Sequence, residues 1–396
     1  MVLTIPSSTS TLSIAEKSIV TGKHPSSILP TDNDSPDEAP RAWIVLFGAM
    51  CIAFTTSGYM STWGVFQAHY EQSLLKDISP SSILIFVSAT FLVAQCRTYW
   101  QFLLCQGILT GITAGIFTGP VTAILSQWFI RRRGLALGMY AAGSSMGGTV
   151  LPITARALIP LIGFPWTIRV FASIILFGLA MGNLTIKQRK SLIVKGHLLD
   201  FSPMQSSVFL LYCSASFSIY LGYYTFTTYI ATSAISNGVP VSFSFYLVAI
   251  CNACSGLSRL TSGFIADRLG ALNLMVPATC LSAAIYYIWP FSHSQVGLIF
   301  LSVFYGISIG PFASLVSGPV LDLGDRNQLG QRIGILMSMV GVAMLAGAPI
   351  SGAINTSQGS VSMGLFAGSM MLFGAILMAT VWYYVSTVNF NLHPNQ

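Results

Sequence analysis

The chain has 396 residues, of which 53% are hydrophobic and only 7% are Asp, Glu, Lys or Arg. Soluble domains carry about 25% charged residues, so this composition excludes an ordinary soluble enzyme. The net charge of +7 comes from small basic clusters between apolar stretches, a pattern that orients membrane helices and argues against a nucleic-acid partner.

Ten apolar stretches are long enough to cross a bilayer, which takes about 20 residues as a helix. The predicted spans are 43–66, 102–126, 134–156, 165–186, 207–232, 240–262, 272–290, 296–318, 333–354 and 364–386. An eleventh apolar run, 83–96, is shorter than a full crossing and is typical of a re-entrant or truncated element. We therefore predict an all-α polytopic membrane protein with 10 or 11 transmembrane helices.

The loops indicate the orientation of these helices. Residues 1–40 are rich in Ser, Thr, Pro and Asp and contain no apolar run of signal-peptide length, so we expect a disordered cytosolic tail. Basic residues recur after every second span, at 131–133, 187–195, 268 and 326–332, which predicts cytosolic loops. The same count places the C-terminal tail, 387–396, in the cytosol.

The count fails in the first part of the chain. A cytosolic N-terminus requires an even number of crossings before Arg131, and the runs 43–66, 83–96 and 102–126 make three. The sequence between residues 68 and 100 is therefore irregular.

An internal repeat points to the same interval. Gly115–Pro120 matches Gly306–Pro311 at an offset of 191 residues, whereas Gly58-Tyr59 matches Gly222-Tyr223 at an offset of only 164. Two similar halves are typical of transporters built from repeated bundles. The difference between the offsets makes the N-terminal half about 27 residues short, which is roughly one helix.

Three motifs carry a family resemblance. The sequence GFIADRLG, 263–270, resembles the G-x-x-x-D-R-x-G loop between the eighth and ninth helices of the major facilitator superfamily. WFIRRRGLALGMYAAGSSMGG, 128–148, and YWQFLLCQG, 99–107, are similar to the fungal monocarboxylate-porter-like branch. The resemblance implies twelve helices in two bundles, but most of the second helix and the D-R loop after it are missing here.

The resemblance also implies a division of the chain. We expect an N-terminal bundle over 41–186 that is about one helix short, a cytosolic linker over 187–206, and a six-helix C-terminal bundle over 207–386. In animal monocarboxylate carriers an Asp precedes the eighth-helix Arg by four residues and a Lys lies in the first helix. Here those positions are Ser255 and approximately Ser61, so the proton-linked lactate mechanism that those residues imply is not expected.

Arg259 is the most informative candidate for substrate binding. It lies inside a long uncharged run, where a cation is costly unless it faces a cavity or reaches the interface. Asn252, Ser255 and Arg259 fall at i, i+3 and i+7, which places them on one helix face. A guanidinium there offers a forked donor pair to a carboxylate. The alternative is an arginine that snorkels and bonds a neighbouring helix end.

Three further residues are candidates for the substrate cavity. Tyr59 and Tyr223 occupy equivalent places in the two halves, where they either contact substrate or belong to the interfacial aromatic belt. Gln106 either faces the cavity or makes a polar contact between helices.

The glycine, proline and D-R motifs have a mechanical interpretation. Small residues let helices approach closely, and proline bends a helix by freeing a carbonyl. The candidate gating residues are Gly263, Asp267, Arg268, Gly119, Pro120, Gly310 and Pro311. Asp267 and Arg268 are expected to make contacts at helix ends that break and re-form between states, unless they serve only as a positive-inside anchor.

These observations predict a transporter that moves a small, anionic organic molecule, an organic acid or secondary metabolite, by alternating access. The alternative is a truncated, non-transporting or regulatory membrane protein derived from such a transporter. We expect no enzymatic activity, no cofactor and no metal site, because the sequence has no nucleophile–base pair, metal cluster or phosphate loop. The expected location is the plasma membrane, with the vacuolar membrane as the alternative, and the sequence does not indicate the oligomeric state.

Overall fold

The computed structural model describes residues 40–61, 90–96, 99–187, 202–321, 323 and 328–392. Its long helices are α1 (Pro40–Ser61), α2 (Tyr99–Phe102 and Thr110–Trp128, joined by π-helical turns over Leu103–Leu109), α3 (Arg133–Ile162), α4 (Phe164–Thr185), α5 (Ser207–Tyr223), α6 (Thr225–Ser236), α7 (Val241–Leu269), α8 (Ala271–Ile288), α9 (Gln295–Leu315) and α10 (Leu329–Leu392). All regular structure within these residues is helical, so the prediction of an all-α protein is confirmed.

The described residues of the ten predicted spans are almost entirely helical. Eight helices of the described chain are long and apolar enough to cross a membrane. This number is smaller than ten because the span 207–232 is divided into α5 and α6, whereas α10 contains both 333–354 and 364–386. The two halves of α10 meet at Gly359, whose φ of 85° breaks the helix.

The structure corrects the placement of the D-R motif. We predicted Asp267 and Arg268 in a loop, but α7 continues through both residues to Leu269. The helix continues to Gly270, which ends it by adopting a φ of 87°. Glycine takes this left-handed conformation without steric cost and is therefore common after the last turn of a helix. The motif is therefore the last turn of a helix, and its side chains are held by a rigid element.

The predicted irregularity at 68–100 falls mainly on residues outside the described ones. Of the apolar run 83–96, the structure describes only 90–96, where residues 90–93 are helical. The absence of a second helix and of its D-R loop therefore stays a prediction.

The buried apolar side chains form two separate clusters. One contains residues of α1 to α4 and the 90–96 segment, including Val45, Phe171 and Ile175. The other contains residues of α5 to α10, including Tyr212 and Tyr286. We call α1–α4 the N-terminal group and α5–α10 the C-terminal group.

The same kind of glycine contact occurs once within each of the two groups. Gly147 of α3 packs against the backbone of Phe54 and Gly58 in α1, and Gly347 of α10 packs against the backbone of Leu221 in α5. The two glycines are 200 residues apart in the sequence and occupy equivalent helix crossings. Because a side chain at either position would meet backbone atoms, both crossings require a residue without a Cβ.

Candidate functional site

Helices α3 and α7 join the two groups at a close crossing. A Cβ added to Gly138 of α3 would lie 2.5 Å from the carbonyl oxygen of Arg259 and 3.1 Å from the Cα of Gly263, both in α7. Gly134 and Gly263 likewise meet through their backbones. The crossing is possible because small residues line both helices, and it brings backbone against backbone at one end of the molecule.

Asp267 closes this end by capping α3. Its Oδ1 accepts a hydrogen bond from the Gly134 N–H at 2.6 Å, and its Oδ2 accepts one from the Leu135 N–H at 2.9 Å. These amides lie in the first turn of α3, where they lack partners within the helix and where a negative charge is favourable. Two charge-assisted bonds therefore link the last turn of α7 to the first turn of α3.

Arg268, the second residue of the motif, does not share this role. Its guanidinium lies 4.7 Å from the ring centroid of Phe264, one turn earlier on the same helix, and its side chain is exposed. The predicted contribution of Arg268 to gating stays a prediction.

Arg259 connects three helices from a position about two turns deeper. Its Nη1 donates to the Ala141 carbonyl at 2.9 Å and to the Ser144 hydroxyl at 2.6 Å, both on α3. Its Nη2 donates to the Tyr223 hydroxyl at 3.2 Å, at the end of α5. The guanidinium thus bonds the N-terminal and C-terminal groups at once, and it does not snorkel to the helix end.

The charge of Arg259 has no compensating carboxylate in the described part of the chain. Its hydrogen-bond acceptors are a carbonyl and two hydroxyls, and its buried Nε has no partner among the described residues. A cation inside a membrane protein is costly without an opposite charge. The site is therefore suited to an anion that supplies the missing charge.

The other two residues of the predicted polar stripe lie along the same helix. Asn252 donates from Nδ2 to the Gly148 carbonyl of α3 at 3.2 Å. Ser255 is buried at 2% exposure, and its hydroxyl has no partner among the described residues. The structure thus brings Asn252 and Arg259 together against α3, whereas a substrate contact for any of the three stays a prediction.

Of the two tyrosine candidates, Tyr223 contacts Arg259, whereas Tyr59 lies away from the arginine. Tyr223 is mostly buried and bonds Arg259, while Tyr59 is buried at 1% exposure in the core of the N-terminal group. Gln106 lies in the π-helical turns of α2 and is also mostly buried. For Tyr59 and Gln106 a role in substrate binding stays a prediction.

The two glycine–proline pairs differ in their surroundings. A Cβ on Gly310 of α9 would lie 2.6 Å from the Ser258 side chain and 3.2 Å from the Arg259 nitrogen, so α9 presses on α7 at the arginine. A Cβ on Gly119 of α2 would meet no atom within 4 Å in the part of the chain that the structure describes. Pro120 and Pro311 lie inside their helices as predicted.

Sequence reasoning missed two tyrosines next to the site. The hydroxyls of Tyr286, in α8, and Tyr305, in α9, bond the backbone where α5 ends and α6 begins. Neither stands out in the sequence, because a tyrosine in an apolar span resembles a core aromatic. Their position is apparent only from the break in the helix, which the apolar run 207–232 does not indicate.

Two groups of membrane-spanning helices that meet at a polar interface define a multi-pass membrane protein of the transporter type. The family model described as Major Facilitator Superfamily matches residues 76–318 and 208–390. The chain therefore belongs to the Major Facilitator Superfamily, as the D-R motif predicted.

Several curated relatives extend over most of the chain. An "MFS-type transporter" of Gibberella moniliformis is 31% identical over 90% of this chain and 93% of its own length. A "Fujikurins efflux protein" of Gibberella fujikuroi is 32% identical over 88% of this chain and 83% of its own length. An "Agnestins efflux protein" of Paecilomyces divaricatus is 29% identical over 87% and 88%. The relatives are transporters and not enzymes.

Solved structures share the fold at low sequence identity. The human organic anion transporter MFSD10 has a TM-score of 0.59 and 15% identity, covering 85% of this chain and 82% of that chain. The transporter FucP in its outward conformation has a TM-score of 0.56 and 14% identity, covering 87% and 90%. This likeness supports the superfamily fold.

Proposed function

We propose that this protein exports a small organic anion, an organic acid or secondary metabolite, by alternating access of two bundles. The bundles correspond to 41–186 and 207–386 and are joined by a cytosolic linker over 187–206. The observation that carries the proposal is Arg259, a cation within a membrane span that bonds both groups of helices without a carboxylate partner in the described chain.

In this proposal an anionic substrate competes with the acceptors of α3 for the N–H donors of Arg259. Nη1 is shared between the Ala141 carbonyl and the Ser144 hydroxyl, and both acceptors are neutral. A carboxylate forms stronger, charge-assisted bonds with a guanidinium and binds it through two oxygens. Substrate binding would therefore release the bonds of Arg259 to α3 and loosen the contact between the two groups.

The D-R end of α7 is the gate that follows from this geometry. We place this end on the cytosolic side because the basic residues 131–133 and 268 lie there. Opening requires Asp267 to leave the first amides of α3 and the glycine crossing at Gly134 and Gly263 to separate. The structure with these contacts formed would then be closed to the cytosol.

The available acidic residues favour movement without proton coupling. Asp267 is the one Asp or Glu in the described helices, and it caps α3 at a helix end. The described spans therefore contain no carboxylate that could carry a proton across the membrane. Facilitated movement, or movement driven by the membrane potential, follows for an anionic substrate.

The relatives support export, because several fungal members are named as efflux proteins. These names do not favour the alternative of a non-transporting protein.

Binding of a matched pair of small probes tests the proposed function. Benzoate and benzamide have nearly the same shape, but only benzoate is an anion. We expect benzoate to raise the unfolding temperature of the purified protein in detergent and benzamide to have no effect, because the ligand stabilises the folded state it binds. Arg259→Gln should abolish the benzoate effect.

Arg169→Gln is the matched control for this experiment. It removes a positive charge from a membrane helix, but Arg169 stacks on Trp166 at 4.7 Å and lies outside the α3–α7 interface. Equal stabilisation of the wild type and Arg259→Gln by benzoate would refute the assignment of Arg259. Equal stabilisation by benzoate and benzamide would refute an anionic substrate.

A further inference from the structure

The span 207–232 is broken in the middle. Helix α5 ends at Tyr223 and α6 begins at Thr225, and Tyr224 lies between them with φ of −86° and ψ of −10°. A helix broken inside a membrane protein leaves carbonyl and amide groups that no intrahelical bond satisfies. Such groups must find partners on other helices, and the identity of these partners determines what holds the break.

Two tyrosine hydroxyls satisfy this backbone. Tyr286 of α8 donates to the Gly222 carbonyl at 2.5 Å and accepts from the Phe226 N–H at 3.0 Å. Tyr305 of α9 donates to the Tyr223 carbonyl at 2.6 Å. The hydroxyl of Tyr286 therefore bonds both sides of the break, the last turn of α5 and the first turn of α6.

Both tyrosines are fixed in the core of the C-terminal group. Tyr286 is 0% exposed and Tyr305 is 1% exposed, and their hydroxyls are 3.2 Å apart. The ring of Phe226 stacks on Tyr305 at 4.3 Å between centroids and meets Trp289 at 5.1 Å. The two hydroxyls can therefore move little unless α6 moves with them.

The same break is connected to Arg259 through Tyr223. Tyr223 accepts the Tyr305 bond at its carbonyl and the Arg259 Nη2 bond at its side-chain hydroxyl. A shift of the Tyr223 backbone would carry its hydroxyl away from the guanidinium. Arg259 would then keep its bonds to the Ala141 and Ser144 oxygens alone, and its guanidinium would turn toward α3.

We propose that Tyr286 and Tyr305 are positioning residues, which hold the α5–α6 break and thereby orient Arg259 through Tyr223. This inference rests on the proposed function in that Arg259 is taken as the anion contact. Neither tyrosine needs to touch the substrate. Their hydroxyls act by keeping the backbone at 222–226 in one arrangement.

Hydrogen exchange and arginine labelling test this proposal without any substrate. In Tyr286→Phe the ring stays, but the Gly222 carbonyl loses its side-chain donor and the Phe226 N–H loses its acceptor. We expect amide exchange in peptides covering 222–228 to accelerate about tenfold or more, because buried groups without partners strongly favour local opening. We also expect phenylglyoxal to modify Arg259 several-fold faster, as measured by mass spectrometry, and Tyr305→Phe to give both effects.

Tyr287→Phe is the matched control. Tyr287 is the next residue of α8, and its hydroxyl bonds Ser369 of α10 at 3.1 Å and not the helix break. It should leave both readouts unchanged. An amide exchange rate at 222–228 that stays at the wild-type value in Tyr286→Phe would overturn the proposal that the hydroxyl holds the α5–α6 break. Faster exchange with unchanged labelling of Arg259 would overturn the positioning role, because the break would then be held without orienting the arginine.

Benzoate binding separates this proposal from the proposed function. If benzoate stabilises the wild type, Tyr286→Phe should weaken its binding several-fold, whereas Tyr287→Phe should bind benzoate like the wild type. If benzoate does not bind the wild type, the assigned anion contact fails, whereas the exchange and labelling results still decide the role of the tyrosines. Benzoate binding of wild-type strength in Tyr286→Phe would contradict an action of this tyrosine through Arg259.

Discussion

Replacement of Gly138 by alanine should open the crossing between α3 and α7. The added Cβ would lie 2.5 Å from the Arg259 carbonyl oxygen and 3.1 Å from the Gly263 Cα. Both neighbours are backbone atoms of a helix, so relief requires the helices to separate. The same methyl group meets no such atoms once the crossing has opened, and the variant therefore disfavours the closed arrangement specifically.

The cost follows from the packing of the interface. Forcing an extra methyl group into a well-packed contact costs about 1–3 kcal/mol. Because about 1.4 kcal/mol is a factor of ten in an equilibrium constant, the population should move about 5- to 150-fold toward the arrangement with this end open. Opening also separates Asp267 from the first amides of α3, since these bonds lie at the same end.

Pulsed electron paramagnetic resonance measures this shift. Spin labels at Ile130 and Leu269, both exposed near this end, report the distance between the segment just before α3 and the last turn of α7 in a background without native cysteines. Gly138→Ala should add or enlarge a longer-distance population. Gly341→Ala is the matched control, because a Cβ at Gly341 of α10 would meet no atom of the described residues within 4 Å. Identical distance distributions for the two variants would refute this reasoning.

Three further predictions concern the gate, the arginine and the irregular segment. Asp267→Asn keeps the side-chain shape but removes the negative charge at the start of α3. The loss of about 0.3–2 kcal/mol of stabilisation of the closed arrangement should appear as opening between the same spin labels. An unchanged distance distribution would contradict the capping role of Asp267. Ser144→Ala removes a competitor for Nη1 of Arg259, so benzoate should bind about two- to tenfold more tightly in a thermal titration; weaker binding would show that Ser144 helps to hold the anion. Sequencing of the mature transcript across the codons for residues 68–105 should reveal additional codons for about 27 residues or more, which would form a helix and a D-R loop. A transcript that matches the present sequence would make the deletion a real property of the protein.

Much of the fold could be predicted because the membrane imposes a simple rule. A helix that crosses the bilayer needs a continuous apolar run, and the described residues of the ten predicted spans are almost entirely helical. Hydropathy does not determine where a helix ends or breaks. Helix α7 extends to Leu269 and ends at Gly270, whose φ is positive. The span 207–232 breaks at Tyr224, where the hydroxyls of Tyr286 and Tyr305 bond the freed backbone.

The candidate site could be predicted in part for a related reason. A charged residue in an apolar span is conspicuous, so Arg259 could be identified, and helical spacing placed Asn252 on the same face. The partners of Arg259 could not be identified, because Ala141, Ser144 and Tyr223 belong to helices whose approach depends on tertiary packing. Asp267 was assigned to the gate, but its bonds to the Gly134 and Leu135 amides depend on a close glycine crossing that spacing alone does not reveal.

A transport current in proteoliposomes tests the central claim, that an organic anion crosses the membrane by way of Arg259. Passive leakage of neutral benzoic acid carries no charge, so a current that follows a benzoate concentration jump reports movement of the anion through the protein. We expect this current in the wild type and in Arg169→Gln, with no requirement for a pH gradient, and its loss in Arg259→Gln. A current of equal size in Arg259→Gln, or protein-dependent benzoate flux without any current, would contradict this account.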